Sequence, residues 1–305
     1  MKGVAVLMGG PSAEREVSLV SGRECAKGLK QAGYDVYTID VGHDVKALVA
    51  GLEPRPDVVF NALHGRFGED GCVQGVLEFL SIPYTHSGLL ASALAMDKPM
   101  AKRLFTAAGI RCPEGVVTDI HTIERGDVLA RPYVMKPANE GSSVGVRIVR
   151  AGDNQPVRAA DWKYDPRVVV ERFVPGKELT VAVMGDRALA VTELRSHTAF
   201  YDYEAKYTEG RTDHIVPAPL PKDVYDEALR MAKAAHDALG CRGVSRSDFR
   251  YDDTADGGPN QLYLLEVNTQ PGMTPLSLVP EQAKHLGISF PDLVAWMVEN
   301  ARCDA

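Results

Sequence analysis

The sequence contains few cysteines, and none lies in a pair typical of a metal or redox site. Its five cysteines are scattered through 305 residues, are odd in number and include no CxxC motif. This pattern supports neither a disulfide framework nor a structural zinc site. The eight histidines show no metal-ligand spacing either. Scattered, unpaired thiols are typical of a reducing compartment, so we expect the protein in the cytoplasm.

Long hydrophobic runs and an excess of basic charge are also absent. No run approaches the roughly 18 apolar residues of a membrane helix, and the first apolar run, residues 4–8, is too short for a signal peptide. Lysine and arginine number 34 against 41 acidic residues, a formal net charge of −7. We therefore expect neither a membrane nor a nucleic acid as the main partner. A nucleotide is not excluded, because a few lysines and a metal ion can hold phosphates inside an acidic protein.

The first ninety residues alternate between strand and helix patterns. Strands are predicted at 4–8, 35–40 and 58–61, with a short fourth at 82–84, and helices at 13–31, 45–51 and 73–80. Ser12 is the predicted N-cap of the first helix. This alternation predicts a parallel, doubly wound sheet whose ligand loops are residues 9–16 and 64–71. Neither loop has the GxGxxG or GxxxxGK[ST] pattern, which disfavours ordinary dinucleotide or P-loop binding.

The remaining chain has a different pattern, which indicates an α+β arrangement. A helix is predicted at 98–108, strands at 133–136, 144–149, 168–171 and 178–184, and a weakly marked helix at 156–162. Residues 195–220 are polar with little periodicity, and a loop of this length inside a compact domain is usually functional. A helical apolar stripe follows at 224–239. A length of 305 residues suggests two or three domains in all.

The strand at residues 262–268 carries the most informative polar side chains. Glu266 and Asn268 are two residues apart on an almost wholly apolar strand, so they point the same way. Arg246 and Asp248 repeat this spacing upstream. If the two strands pair, Asp248, Glu266 and Asn268 converge as oxygen ligands that suit Mg²⁺ bridging phosphates. The alternative is an exposed strand end at Glu266 and a turn that begins at Asn268.

A lysine and a glycine-rich turn mark a second candidate site. Lys136 ends an apolar strand, where a lone ammonium needs an anionic partner. Gly141 and Gly145 free the backbone between them, and Ser142 adds a hydroxyl donor. Such a loop can cover phosphates without P-loop geometry. A simple hairpin turn is the alternative, and the preceding lysine favours phosphate.

The linker between two apolar strands marks a third candidate site. Glu171 and Glu178 lie near this connection, whose free backbone groups at Phe173 and Val174 offer a slot for adenine. A carboxylate nearby can accept hydrogen bonds from ribose hydroxyls. An ordinary turn at Pro175 is an equally good interpretation when the segment is considered alone.

In this order the segments resemble the ATP-grasp superfamily, and with the N-terminal motifs they resemble the D-alanine–D-alanine ligase family. The motifs are GGPSAEREVSL from residue 9, LHG at 63–65 with GEDG at 68–71, EGSSVG at 140–145, YEAKY at 203–207 and NTQPGMT at 268–274. The resemblance runs from residue 3 to about residue 300. It implies a Rossmann-like α/β substrate-binding domain at 1–95 and a two-part ATP-grasp domain at 96–176 and 177–305. Near residues 150–162 the chain is short for the family, which puts boundaries there in doubt.

The resemblance implies a nucleotide site and a metal site. The phosphate-binding lysines are Lys98, Lys136 and Lys206, and the other nucleotide contacts are Glu171, Phe173, Val174 and Glu178. Two Mg²⁺ or Mn²⁺ ions are expected on Asp248, Glu266 and Asn268, with ATP as co-substrate. A homodimer is also expected.

The resemblance also implies two substrate sites. Glu14 would hold the ammonium of the first D-alanine, with His64 close to that substrate. Arg246 and the Gly272 N–H would stabilise the tetrahedral intermediate, although a salt bridge from Arg246 to Asp248 is the simpler interpretation and can coexist. The N–H groups of Ser277 and Leu278 would receive the carboxylate of the second substrate. Ser142 and Tyr207 would join Glu14 in a hydrogen-bond set that closes the long loop.

The implied activity is ATP-dependent ligation of two D-alanines through an acyl phosphate, for peptidoglycan precursor synthesis. Tyr207 matches the members of the family that form peptides, so we expect an amine acceptor. A relative that uses D-lactate or D-serine is the alternative among enzymes. A non-catalytic nucleotide-binding regulator is the alternative outside them, but it predicts loss of the metal carboxylates or Arg246, and all are present. Gln270 is assigned no role.

Overall fold

The computed structural model describes residues 1–139, 141, 144–153, 156–196 and 212–304. Its N-terminal part is built on a parallel sheet of three strands in the order β2-β1-β3. The elements are β1 (Gly3–Gly9), α1 (Arg15–Gln31), β2 (Asp35–Val41), α2 (Val45–Gly51), β3 (Val58–Asn61), α3 (Cys72–Phe79) and α4 (Leu89–Met96). Strands β1 and β3 are almost wholly buried, because helices cover the sheet. The predicted strand–helix alternation is therefore correct.

Two sequence predictions in this part are wrong in detail. Ser12 is not the N-cap of α1: the cap residue is Glu14, which makes no side-chain cap. The Ser12 hydroxyl instead donates to the His64 carbonyl oxygen at 2.7 Å, so it ties two loops together. Residues 82–84 do not form a fourth strand, because only Tyr84 bridges to Val59 and to Arg302.

The middle of the chain forms an antiparallel sheet in the order β4-β7-β5-β6. Its elements are α5 (Lys98–Ala107), β4 (Gly115–Asp119), α6 (Ile120–Arg125), β5 (Tyr133–Pro137), β6 (Arg147–Val149) and β7 (Arg167–Arg172). Strand β6 is shorter than predicted. The helix predicted at 156–162 is only a 3-10 turn at Ala159–Asp161. This segment has no apolar stripe of helical period, so nothing extends the turn.

The last part forms a second antiparallel sheet, in the order β10-β9-β8-β11-β12. Its elements are β8 (Lys177–Met184), β9 (Arg187–Ser196), β10 (Thr212–Ile215), α7 (Lys222–Ala238), β11 (Val244–Tyr251), β12 (Leu262–Asn268), α8 (Leu278–His285) and α9 (Phe290–Glu299). The predicted stripe at 224–239 is the buried face of α7. The described part of the polar segment 195–220 includes a short strand, β10. None of the described helices combines the length and apolar character that crossing a bilayer requires.

One hydrophobic core joins the N-terminal and C-terminal parts of the chain. Val6 and Phe60 of the parallel sheet share it with Leu293 and Met297 of α9 and with Met273, which follows β12. This packing holds the loops at the carboxyl ends of β1 and β3 against the turn after β12. The residues predicted to bind substrate lie on these loops and this turn.

Candidate active site

Strands β11 and β12 bring together the side chains predicted to bind a metal ion. The strands are antiparallel neighbours, with Asp248 opposite Glu266 and Arg246 opposite Asn268. Asn268 Nδ2 donates to Asp248 Oδ2 at 3.1 Å. The convergence expected from the spacing of two residues is therefore present in the fold.

Arg246 forms a two-pronged ion pair with Asp248. Its Nε and Nη2 atoms donate to the two carboxylate oxygens of Asp248, each at 2.8 Å. Thr180 Oγ1 donates to Asp248 Oδ1 at 2.9 Å. The simpler interpretation of Arg246 as a salt-bridge partner is thus correct, and Arg246 also lines the cavity that contains Gly272. Both roles are compatible in one side chain.

The residues present fit a hard cation. Asp248 accepts four hydrogen bonds, from Arg246, Thr180 and Asn268, which matches the about four lone-pair sites of a carboxylate, so a cation bound there would replace one of these donors. Asn268 uses its amide nitrogen toward Asp248, which leaves its amide oxygen as a ligand. Within the described ranges no group of three His, Cys, Asp or Glu side chains could hold a metal ion. Two carboxylates and an amide suit Mg²⁺, which usually takes its other ligands from waters and substrate phosphates.

Two of the predicted phosphate lysines face this region from the other sheet and from α5. Lys98 begins α5, which Asp97 caps, and its Nζ is 3.5 Å from Glu266 Oε2. Lys136 lies near the end of β5, and its Nζ is 2.8 Å from Glu171 Oε2. Both lysines are buried. Their ammonium groups therefore border the cleft between the sheets.

Glu171 is held by two lysines, of which the sequence interpretation found only one. Lys102 of α5 forms an ion pair with Glu171 Oε1, opposite Lys136. Burial alone would raise the pKa of the Glu171 carboxyl, but the two ammonium groups outweigh it and lower that pKa. Burial lowers the pKa of Lys102, against the attraction of Glu171. For Lys136, the nearby carboxylates of Glu171 and Glu266 outweigh burial and raise the pKa.

A cleft of about 540 Å³ lies between the two antiparallel sheets. It contains most of the residues predicted to bind the nucleotide and two of those predicted to bind metal. These are Lys98, Lys136, Glu171, Phe173, Val174, Glu178, Asp248 and Glu266. Glu178 Oε2 is 3.5 Å from Arg250 Nη1, which fixes this carboxylate at the rim of the cleft. Apolar walls from Val134, Val146 and Ile148 complete a slot suited to a flat base.

A smaller cavity of about 50 Å³ adjoins the cleft, and Asp248 lines both. It contains the residues predicted to bind and activate the amino-acid substrates. These are Glu14, His64, Arg246, Asn268, Gly272, Ser277 and Leu278, and Glu69 and Gln270 line it too. Asp248 therefore lies where the larger cleft meets the smaller cavity.

The turn after β12 requires glycine at position 272. A Cβ atom there would lie 2.8 Å from Ser277 Oγ, too close for any other residue without a shift. Ser277 Oγ accepts the Thr274 N–H at 2.9 Å, and Ser277 is the N-cap of α8. Helix α8 begins at Leu278, as the sequence predicts, so backbone N–H groups at its start can receive an anion.

Three titratable groups gather at the loops after β1 and β3. Glu14 and His64 were predicted to lie here, and both are buried. Glu69, which the sequence interpretation missed, accepts the Gly65 N–H at 2.9 Å. Burial, followed by the nearby Glu14 carboxylate, raises the pKa of Glu69 to about 8. Burial lowers the pKa of His64, which keeps its ring neutral at physiological pH.

Three predicted residues, Ser142, Lys206 and Tyr207, lie outside the described residues. Gln270, to which the sequence interpretation assigned no role, is buried in the described part. Its Oε1 accepts from Asn61 Nδ2 at 2.8 Å, and its Nε2 donates to the Leu63 carbonyl oxygen. Gln270 thus fastens the turn after β12 to the loop after β3.

A nucleotide-sized cleft lies between the two antiparallel sheets, and lysines and a pair of carboxylates border it. This arrangement defines an ATP-grasp enzyme. Family models described as the D-ala D-ala ligase N-terminus and C-terminus match residues 47–87 and 118–299. The chain therefore belongs to the D-alanine–D-alanine ligase family.

Individual relatives agree over the whole chain. The D-alanine–D-alanine ligase of Paramagnetospirillum magneticum is 62% identical over 305 residues and covers 99% of both chains. That of Acidiphilium cryptum is 59% identical, with the same 99% coverage of each chain. Among solved structures, the D-alanine–D-alanine ligase of Bacillus anthracis complexed with ATP matches with a TM-score of 0.80 and 31% identity, over 98% of this chain and 96% of that one.

Proposed function

We propose that this protein joins two D-alanine molecules to D-alanyl-D-alanine at the expense of ATP, for peptidoglycan precursor synthesis. The observation that carries this proposal is the pair of adjoining cavities that share Asp248. One has the size and lining for a nucleotide, and the other has a carboxylate, an arginine and a helix start suited to two small zwitterions. Family membership supplies the identity of those zwitterions.

In the first step a carboxylate oxygen of D-alanine forms a bond to the γ-phosphorus, and the bond to the bridging oxygen of ADP breaks. Lys98 and Lys136 hold the phosphates, and Glu14 holds the ammonium of the first D-alanine. Glu171, Phe173, Val174 and Glu178 hold the base and ribose. Three residues outside the described part of the chain complete this set. We assign Lys206 to the phosphates, and Ser142 and Tyr207 to the hydrogen-bond set around Glu14.

In the second step the amine of another D-alanine attacks the acyl phosphate carbon. The tetrahedral intermediate loses phosphate and the amine loses a proton, which leaves an amide. Arg246 and the Gly272 N–H, whose residues line the small cavity, stabilise the oxyanion. The Ser277 and Leu278 N–H groups hold the carboxylate of the acceptor.

Asp248, Glu266 and Asn268 would hold the magnesium ions. When bound there, Mg²⁺ supplies charge neutralisation at the transferred phosphate. The residues of the chain position the reactants around this charge: Lys98 pairs with Glu266 and Arg246 pairs with Asp248.

Mass analysis of the products tests the proposal directly. The purified protein is incubated with ATP, Mg²⁺ and D-alanine, and the expected result is D-alanyl-D-alanine with one ADP and one phosphate per dipeptide. L-Alanine is the matched control and should give no dipeptide. ATP hydrolysis without dipeptide, or no turnover at all, would overturn the proposal.

The same assay tests the nature of the acceptor. D-Lactate or D-serine is added in equal amount with D-alanine at neutral pH. We expect the ester with D-lactate to be minor, because Tyr207 matches the peptide-forming members. A dominant ester product would show that the acceptor assignment is wrong while the ligase assignment stands.

We also propose that two copies of the chain associate through an apolar surface on α3 and α4. Phe79 of α3 is 92% exposed, and Leu90 and Leu89 of α4 are 64% and 40% exposed. Large exposed apolar side chains that form a contiguous patch usually mark an interface. In analytical ultracentrifugation the native chain should sediment as a dimer and Phe79→Asp as a monomer. Val45→Asp, at an exposed valine of α2, is the control and should remain dimeric; a monomeric native chain would contradict the proposal.

A further inference from the structure

Ser21 is a junction of three segments of the chain. It lies on α1 and is fully buried. Its Oγ is 3.1 Å from His64 Nε2, on the loop after β3. The same oxygen accepts the Met273 backbone N–H at 3.3 Å, on the turn after β12. The Ser21 hydroxyl therefore connects the loop after β3 to the turn that contains Gly272.

Elementary chemistry fixes one of the two hydrogen bonds at this junction. The Met273 N–H can only donate, so the Ser21 oxygen accepts it. The direction of the contact with His64 depends on the ring tautomer, and we assign the single hydroxyl hydrogen to an unprotonated His64 Nε2. In this assignment the proton of the neutral ring resides on Nδ1, and burial, which lowers the pKa of His64, favours the neutral ring.

These contacts hold the turn on both sides of Gly272. Ser21 binds the backbone at Met273, and on the other side the Gln270 side chain donates to the carbonyl oxygen of Leu63, the neighbour of His64. The Gln270 side chain is itself fixed by Asn61. Gly272 lies between the two anchors, so the direction of its N–H depends on Ser21 and His64. The ring lies near the Glu14 carboxylate and the Arg246 guanidinium, and burial, which lowers its pKa, favours its uncharged form.

We propose that Ser21 and His64 form a positioning pair that sets the Gly272 N–H, and that His64 exchanges no proton with either substrate. This inference rests on the proposed function. It assigns Ser21 a role in the second step, the attack on the acyl phosphate. Loss of the Ser21 hydroxyl leaves the Met273 N–H and His64 Nε2 without their shared partner, and the turn is then free to shift.

A pair of serine variants separates this role from ordinary stability. Ser18 is the matched control, because it is also fully buried on α1 and its hydroxyl donates to the Ala62 carbonyl oxygen at 2.7 Å. Ser18→Ala and Ser21→Ala should lower the melting temperature by similar amounts. Ser21→Ala should lower kcat/KM for the acceptor D-alanine at least tenfold, with KM for ATP unchanged. Ser18→Ala should change both values less than twofold, and Ser21→Thr should recover most of the loss.

Nitrogen NMR of the native chain tests the proton assignment without any assay of ligation. With ¹⁵N-histidine labelling, His64 should show the tautomer protonated on Nδ1 at neutral pH, and its signals are assigned by their loss in His64→Asn. A ring protonated on Nε2, or on both nitrogens, would overturn the proposal, as would equal kinetic losses in the two serine variants. A native chain that shows this tautomer but forms no dipeptide would contradict the proposed function alone.

Discussion

Two glutamates at opposite ends of the active site have pKa values shifted in opposite directions. Glu171, at the base end of the cleft, lies between Lys102 and Lys136, and these lysines lower its pKa despite burial. Glu69, at the substrate end, is partly buried near Glu14 and Glu266, and burial together with these carboxylates raises its pKa to about 8. The residue type is the same, so the neighbours decide the charge.

The comparison shows which part of the site is complete without ligands. At the base end one carboxylate faces two ammonium groups, so it is fully paired within the protein and one positive charge is left for a phosphate. At the substrate end Glu14, Asp248 and Glu266 outnumber Lys98 and Arg246, while the raised pKa of Glu69 keeps that carboxyl protonated near neutral pH. The ammonium group of a substrate and a divalent cation would neutralise this excess of negative charge. We therefore expect mutations at the base end to reduce stability and mutations at the substrate end to reduce activity.

The largest expected effect is the loss of ligation in Glu266→Gln. Removal of a metal ligand should lower kcat by about 10³-fold, or about 4 kcal/mol of barrier. Its free energy of unfolding should stay within about 1 kcal/mol of the native value, because its 3.5 Å contact with Lys98 is longer than a strong charge-assisted hydrogen bond. Dipeptide formation and urea unfolding are measured in parallel.

Glu227→Gln is the control for this substitution. Glu227 lies on α7 in ion pairs with Arg111 and Arg230, away from the cleft. It should keep full activity. Retained activity in Glu266→Gln, or a loss of stability as large as the loss of activity, would contradict the division between the two ends.

The next effect is a loss of stability in Glu171→Gln. This change leaves the Lys102 and Lys136 ammonium groups buried without their carboxylate, and we expect the free energy of unfolding to fall by about 3 kcal/mol. The double variant with Lys102→Met should recover part of the loss, since one of the two unpaired charges is then removed. Urea unfolding of the two single variants and the double variant measures the coupling. Additive losses would show that the three residues do not act as one charge cluster.

The smallest effect is a change in pH dependence in Glu69→Gln. With a folded pKa of about 8 and an ordinary value of 4.5, the folded protein keeps a proton that the unfolded chain loses between these values. The native free energy of unfolding should therefore fall as pH rises from 5 to 8 in the absence of substrates. Glu69→Gln should reduce this fall by about 2 kcal/mol, less than the full shift because solvent reaches part of the side chain. Identical pH slopes in the two proteins would contradict the assignment.

The sequence predicts the two strands that carry the metal-binding side chains better than it predicts the residues that surround them. Alternation along a strand places Glu266 and Asn268 on one face, and a nearby hairpin partner carries Asp248, so local periodicity is sufficient. Lys102 and Ser21 have no such signal, because their partners are brought near them only by the tertiary fold. The N-cap predicted at Ser12 is wrong for the same reason, because the Ser12 hydroxyl donates to the carbonyl oxygen of His64, 52 residues away in sequence.

The pairing of β11 and β12 constrains how this chain can vary in length during evolution. The ladder has one irregularity, between Asp248 and Phe249, and otherwise runs in register to Tyr251 opposite Leu262. Insertions in the connection at 252–261 leave the positions of Asp248 and Glu266 unchanged. An insertion of one residue between Leu262 and Glu266 would turn Glu266 to the opposite face of the sheet. Homologues should therefore differ freely in the number of residues in this hairpin tip. They should hardly differ in the number of residues that separate Asp248 and Glu266 from the ends of their strands.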